Sequence, residues 1–395
     1  MKRNGKRSAL FAVFLAAVCL AGCGGRQEKF TSQDGTAGIT LSSEWEGQET
    51  RTGGWIGAVK GGKASAVVMQ TVKDGGGRMD TEAVQEMLKT DYQVENLEKV
   101  ENPVVPEGMT RVKAFTFHGT AGDTEVEGYW SYGQTVYAFY SFLYVTEKLD
   151  KNALEEIQTA WGSFEEHAPE TANRSTVEVT DTILWLNGTH AVRSALQGWD
   201  YNLFGGMPAN EDTGQTRREI LKEEWDVTDK ASAEETLRWL AEEGHHGAFE
   251  QEMETLKNGG LSDIAETERA SYLYGKYDLT ESGAQVYAEL YTGYVQNGAD
   301  AVRAWDDSRA MALVEDCYMA GYYTETEALD KSMEIAGRIR SAYGSWDAFI
   351  DSYLLGYAYH TGEEGIQERE AYGEVKEEVG NPYLLDWNLT LEKSW

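Results

Sequence analysis

The sequence predicts two domains of different class: an α+β domain, built on an antiparallel sheet with helices on one face, followed by an all-α helical domain. Three observations carry this. Short β-branched and aromatic runs separated by glycine clusters lie between residues 39 and 146. Beyond residue 175 the apolar residues recur at the helical period behind capping signals. The chain also has 395 residues, more than the roughly 250–300 at which a single core usually stops growing.

The chain opens with Lys2, Arg3, Lys6 and Arg7, continues with an apolar run over residues 9–18, and reaches Leu20-Ala21-Gly22-Cys23. A basic start before a short apolar run is an export signal, and the run is shorter than the roughly 20 residues of a membrane-spanning helix. The small residues before Cys23 resemble the bacterial lipobox. That resemblance implies removal of residues 1–22, diacylation of Cys23 and residence on the extracytoplasmic face of a cell membrane; an ordinary cleaved secretory leader is the alternative. Residues 23–38 are polar and read as a flexible tether. Cys19 leaves with the leader and Cys23 carries lipid, so Cys317 has no partner for an intrachain disulfide.

Loss of the four basic leader residues moves the net charge from −32 to −36. Such a polyanion repels nucleic acid and anionic headgroups, which argues against either as a ligand. Membrane contact then falls to the lipid on Cys23.

In residues 39–166 the runs GITLSSEW, ASAVVMQTV, MTRVKAFTFHG and TVYAFYSFLYV read as strands. Residues 80–88 and 151–161 read as helices, the second with Leu154, Ile157 and Trp161 on one face. Gly57 to Lys63 matches the phosphate-loop spacing, but Ala64 replaces the Ser or Thr that would hold Mg²⁺ and a strand follows, so it reads as a hairpin turn. Asp123, Glu125 and Glu127 imitate the start of a calcium loop whose twelfth position is Gln134 instead of Glu. They read as acids on the wet side of a hairpin.

A polar segment at residues 165–177 with Pro169 marks the domain boundary, and the helical domain spans residues 175–362. Ser232 with Glu235, and Thr324 with Glu327, have capping-box spacing, and Gly244 is placed as a helix stop. Trp346, Phe349, Ile350, Tyr353, Tyr357 and His360 form one broad aromatic helical face. Residues 363–395 read as an acidic segment and tail.

Residues 301–320 read as one helix on which Trp305, Arg309, Leu313 and Asp316 share a stripe, with Asp306 close to Arg309. Arg309 can stack on Trp305 and pair with a carboxylate, making a structural seam against the helix that carries Trp346 and Tyr353. On that reading Arg309→Ala strands a buried acid at a cost on the order of 3 kcal/mol, and Asp306→Asn costs less if Asp306 is an exposed neighbour. The functional alternative makes Trp305, Asp306, Arg309, Trp346 and Tyr353 a ligand-binding surface. His245 and His246, with Glu250, are the candidate acid/base or metal pair; two ligands are too few for a zinc site, and their place after Gly244 favours loop packing. No metal or other cofactor is implied.

AWDDSRAMALVEDCYMAGYY and SWDAFIDSYLLGYAYHTG, with LRWLAEEGHHGAFEQEM upstream, resemble the bacterial family known as domain of unknown function 1266 over residues 184–362. The resemblance implies an all-helical fold and no particular reaction; where the family tends to close its last aromatic helix with Trp, this chain has Tyr359-His360. The order of elements over residues 28–166, with FTSQDGTAGITLSSEW, weakly resembles PsbP-like domains, which implies docking to a protein. The functional expectation is a lipid-anchored envelope protein that binds another envelope component. Its rival is an extracytoplasmic hydrolase drawing on Asp306, Arg309, His245 and His246.

Overall fold

The computed structural model describes residues 27–50, 52–73, 81–168, 174–378 and 380–395. Cys23 and the leader lie outside them, as do Asp80 and Pro169. The chain divides near residue 171 into two compact units, the first built on antiparallel sheets and the second helical.

The first unit contains strands β1 (Gln27–Thr31), β2 (Ala37–Ser42), β3 (Glu46–Gln48), β4 (Ile56–Lys60), β5 (Ala64–Val72), β6 (Leu97–Lys99), β7 (Thr110–Ala121), β8 (Thr124–Gln134), β9 (Ala138–Thr146) and β10 (Glu165–Glu166). Helices α1 (Thr81–Asp91) and α2 (Lys151–Gly162) complete it. Seven strands pair antiparallel in the order β3-β4-β5-β9-β8-β7-β6, and β1-β2-β10 form a smaller sheet. Gly61 and Gly62, both at positive φ, turn β4 into β5, so the phosphate-loop look-alike is a hairpin. Gly122 likewise turns β7 into β8 before the acids of the calcium-loop look-alike.

Because side chains alternate along a strand, β9 sends Tyr140, Phe142 and Tyr144 to the core shared with Ile157 and Trp161 of α2. It sends Leu143 and Val145 the other way, to a second core with Leu88 of α1. Helix cover therefore extends to both faces of the large sheet instead of one. The apolar run of β9, broken before its last residue only by the buried Ser141, reflects burial on both sides.

The second unit contains α3 (Asp181–Gly188), α4 (Ala191–Leu196), α5 (Glu211–Trp225), α6 (Lys230–Glu242), α7 (Gly244–Asn258), α8 (Arg269–Lys276), α9 (Glu281–Asn297), α10 (Asp300–Ala320), α11 (Glu325–Ala342), α12 (Trp346–Thr361) and α13 (Ile366–Glu377). Helix α10 lies at its centre. Every residue of α10 is buried except Asp300, Arg303, Trp305 and Arg309, so it has no wet face and no simple amphipathic stripe. Helix α12 packs closely on it: a Cβ on Gly356 would lie 2.3 Å from Trp305 Cβ and 2.7 Å from the Val302 carbonyl oxygen.

The caps refine the sequence reading. Thr324 and Glu327 form the expected capping box of α11. At α6 the cap is Asp229 with Ser232 as its N3 partner, three residues earlier than the Ser232–Glu235 spacing suggests. The C-terminal segment is not a free tail, because Ala371, Val375 and Trp387 are buried and Trp387 packs on Trp185 and Trp346. No helix among the described residues is long and apolar enough to cross a membrane.

Trp161 anchors the first unit: it is fully buried, stacks on Phe142 at 5.1 Å and donates from Nε1 to Ser131 Oγ. Trp161→Ala is expected to cost about 3–5 kcal/mol in a denaturant melt of the first unit's transition. A loss below about 1 kcal/mol would show that α2 is not part of its core.

Candidate functional site

Where α6 gives way to α7 the backbone turns sharply at Gly244, with φ of +48°. The turn needs glycine twice over, since a Cβ there would also lie 2.5 Å from Asp306 Oδ2. His245 and His246 therefore sit in the first turn of a helix and not in a loop, and their free backbone N–H groups point at α10.

Asp306 fills that position. Its Oδ2 accepts both backbone N–H groups at 2.9 Å. His245 Nδ1 lies 3.0 Å from Oδ1 and His246 Nδ1 lies 2.9 Å from Oδ2. The carboxylate is fully buried, and burial by itself would push it up. The four N–H contacts outweigh burial and hold Asp306 well below the usual carboxylate range. Asp306 is thus a buried structural anion and not an exposed neighbour of Arg309.

This geometry fixes the tautomers. A carboxylate can only accept, so both imidazoles carry hydrogen on Nδ1 and turn Nε2 away from Asp306. Arg309 Nη1 lies 3.2 Å from His245 Nδ1, but both atoms are donors, so this is a contact between two N–H groups.

Arg309 stacks on Trp225, the last residue of α5, at 4.3 Å from guanidinium carbon to ring centre, and on Trp305 at 5.4 Å. Among the described residues no carboxylate comes within 4.0 Å of it. Burial lowers its pKa and Asp306 partly offsets that, while the Arg193 cation lowers it further. An aromatic border surrounds it. The His245 ring meets His360 at 4.7 Å and Trp239 at 5.5 Å edge to face, and Trp305 packs on Tyr353 and Tyr357. Trp239 and His360 are exposed, so solvent reaches this patch. Burial, then His245 and Arg309, hold His360 below the usual imidazole value.

The structure gathers Trp305, Asp306, Arg309, Tyr353, His245 and His246 into one place. Trp346 is elsewhere, packed with Trp185, Tyr383 and Trp387 at the other end of α12. Glu250 is exposed and forms no described bond with either histidine. No group of three or more His, Cys, Asp or Glu among the described residues is arranged to hold a metal ion.

A second charged cluster lies farther along α10. Asp316 is shared by Arg193, at 3.0 Å, and the fully buried Arg217, at 2.8 Å, whose guanidinium carbon stands 3.4 Å from the centre of the Trp199 ring. Beside it Glu315 meets His190 Nε2 at 3.0 Å and accepts the Gly205 N–H. The adjacent acids Glu315 and Asp316 inside the apolar run MALVEDCYMA were the available signal, because buried acids require partners.

Two variants separate these roles. Asp306→Asn is expected to cost on the order of 3 kcal/mol, because an amide oxygen cannot satisfy four donors. Arg309→Ala strands no paired acid, so it is expected to cost about 1 kcal/mol from lost stacking. Denaturant melts of both beside wild type check the order, and a larger loss for Arg309→Ala would contradict it. Since Asp306 is held below its unfolded value, its contribution is full at neutral pH and drains away as acid titrates it. The Asp306→Asn deficit should therefore shrink in melts carried below the ordinary carboxylate range.

Residues 220–385 match the family model described as Protein of unknown function (DUF1266). No curated protein matches the chain. A crystal structure from Bacteroides thetaiotaomicron VPI-5482 at 1.50 Å resolution aligns with 54% of this chain and 78% of its own, at 12% identity and a TM-score of 0.24. The C-terminal domain thus carries the DUF1266 match, and the matched span holds His245, His246, Trp305, Asp306, Arg309 and Tyr353, while His190, Arg193, Trp199, Gly205 and Arg217 of the second cluster precede it.

Proposed function

We propose that this is a lipid-anchored protein of the cell envelope whose helical domain binds another envelope component at the patch around Arg309. The observation that carries the reading is Arg309 itself: a half-buried guanidinium, stacked between two indoles, with no carboxylate beside it in a strongly acidic protein. A structural arginine is ordinarily paired, as Arg193, Arg217 and Arg338 are here. Arg309 keeps donors free next to the exposed Trp239 and His360, the composition of a recognition surface. Lipid on Cys23 would hold this surface at the membrane, and the PsbP-like resemblance of the first unit supports a docking role there.

The second reading, an extracytoplasmic hydrolase, is favoured by one arrangement. Asp306 orients His245 and leaves Nε2 free, as a carboxylate orients a general base. Binding ranks first because no hydroxyl or thiol among the described residues is hydrogen-bonded to that imidazole.

Cys23→Ser is expected to leave the protein soluble or uncleaved on cell fractionation, since the diacyl group supplies the two chains that stable anchoring needs. A cleaved Cys23→Ser protein retained in the membrane would refute the anchor. For the site, envelope extracts should raise the melting temperature of the mature wild-type chain and raise that of Arg309→Gln much less. If no extract stabilises the wild type, binding at this site is wrong.

A further inference from the structure

The hydrogen-bond partners around the patch are unevenly shared. Arg193 and Arg217 share the carboxylate of Asp316, and Asp306 accepts its hydrogen bonds from α7, so the Arg309 guanidinium is left without a carboxylate hydrogen-bonded to it among the described residues. Asp306 and Glu224 favour its charge from beyond ion-pair distance. Tyr353, 5% exposed, packs its ring on the same Trp305 at 5.3 Å, and its hydroxyl has no hydrogen-bond partner among the described residues. That hydroxyl feels Glu368 and, opposing it, the cations of both Arg193 and Arg309; Glu368 itself is engaged by Tyr357. The phenol and the guanidinium thus both keep donors that no protein acceptor among the described residues takes up.

Resting on the binding reading above, we infer that the site takes a monoanionic carboxylate carried on an apolar or aromatic body. Arg309 and Tyr353 donate to the carboxylate, Arg193 adds its field, and Trp225 and Trp305 flank the body. Three features select this class. A carboxylate offers the acceptors that a guanidinium fork and a phenol lack, and a planar one matches the fork. A carboxylate would supply the ion pair that Arg309 lacks among the described residues. A phosphate dianion would be repelled about twice as strongly by a chain of net charge −32, and it would gain nothing from the indoles.

The test uses the mature full-length chain with benzoate as probe, read by calorimetry and tryptophan fluorescence, with benzyl alcohol and inorganic phosphate as comparison ligands. Benzoate should bind at least tenfold more tightly than either, and Arg309→Gln should weaken it at least tenfold. Tyr353→Phe should weaken it about threefold or more; it carries the test if Arg309→Gln does not fold. Benzyl alcohol equal to benzoate, phosphate tighter than benzoate, or benzoate binding unchanged in the folded variants would each overturn the inference, as would no benzoate binding at all. If envelope extracts still stabilise the wild type in that case, the binding reading survives and only the carboxylate assignment falls. If extracts do nothing, the binding reading falls whatever benzoate does.

Discussion

Four carboxylates on one buried helix govern how the second unit is built. Asp306, Asp307, Glu315 and Asp316 all lie on α10, and none is more than 5% exposed. An ionised carboxylate inside a protein costs several kcal/mol unless it is paired and hydrogen-bonded. The unit can therefore close around α10 only where other helices deliver the right donors at the right height. α7 brings two amides and two imidazoles to Asp306, α11 brings Arg338 to Asp307, and α4 and α5 bring Arg193 and Arg217 to Asp316. Glu315 is met by His190, which precedes α4, and by the Gly205 amide. Apolar burial supplies most of the stabilisation, while these pairings decide which packing of the helices is allowed.

The pairings are not equivalent. Asp306 is fully satisfied and strongly acidic, whereas Asp307 keeps one oxygen without a partner and is pushed up by burial despite Arg338. Arg309, two residues beyond them, is the cation that the scheme leaves over. A helix whose acids are matched almost everywhere, but whose Arg309 is not, concentrates its unmet hydrogen-bonding demand at one solvent-reachable point. Sites that bind ligands are commonly found where a rigid scaffold leaves such demand unmet.

Much of this was legible in the residues taken in order. Strand alternation, the glycine hairpins, the α11 capping box and the continuous helix from Asp300 to Ala320 follow from local chemistry, which acts within a few residues. The spacing of Trp305, Asp306 and Arg309 with the aromatic face of α12 also pointed to the right neighbourhood. What escaped was partner choice. Asp306 lies beside Arg309 on the helix yet bonds to His245, 61 residues away, because α7 aims two backbone amides and two imidazoles at it while the Arg309 side chain is turned onto two indoles. Arg193, Trp199 and Arg217 stand around an irregular segment with no periodicity to follow, and burial of α10 on all sides erased the stripe that would have shown which way each residue faces. Helix cover on both faces of the large sheet was hidden for the same reason, since β9 shows no apolar–polar alternation.

The turn at Gly244 also limits how this chain can change in length. One residue inserted between α6 and Gly244 can be absorbed by reshaping the end of α6, but one inserted between Gly244 and His246 rotates the imidazoles by about 100° around the α7 axis. The amides that hold Asp306 would then point past it. Insertions are by contrast accommodated in the irregular stretch between α7 and α8, where exposed residues bear no relation to α10. Among descendants of this sequence, the spacing from Gly244 to the histidines should stay fixed while the loop that follows α7 drifts in length.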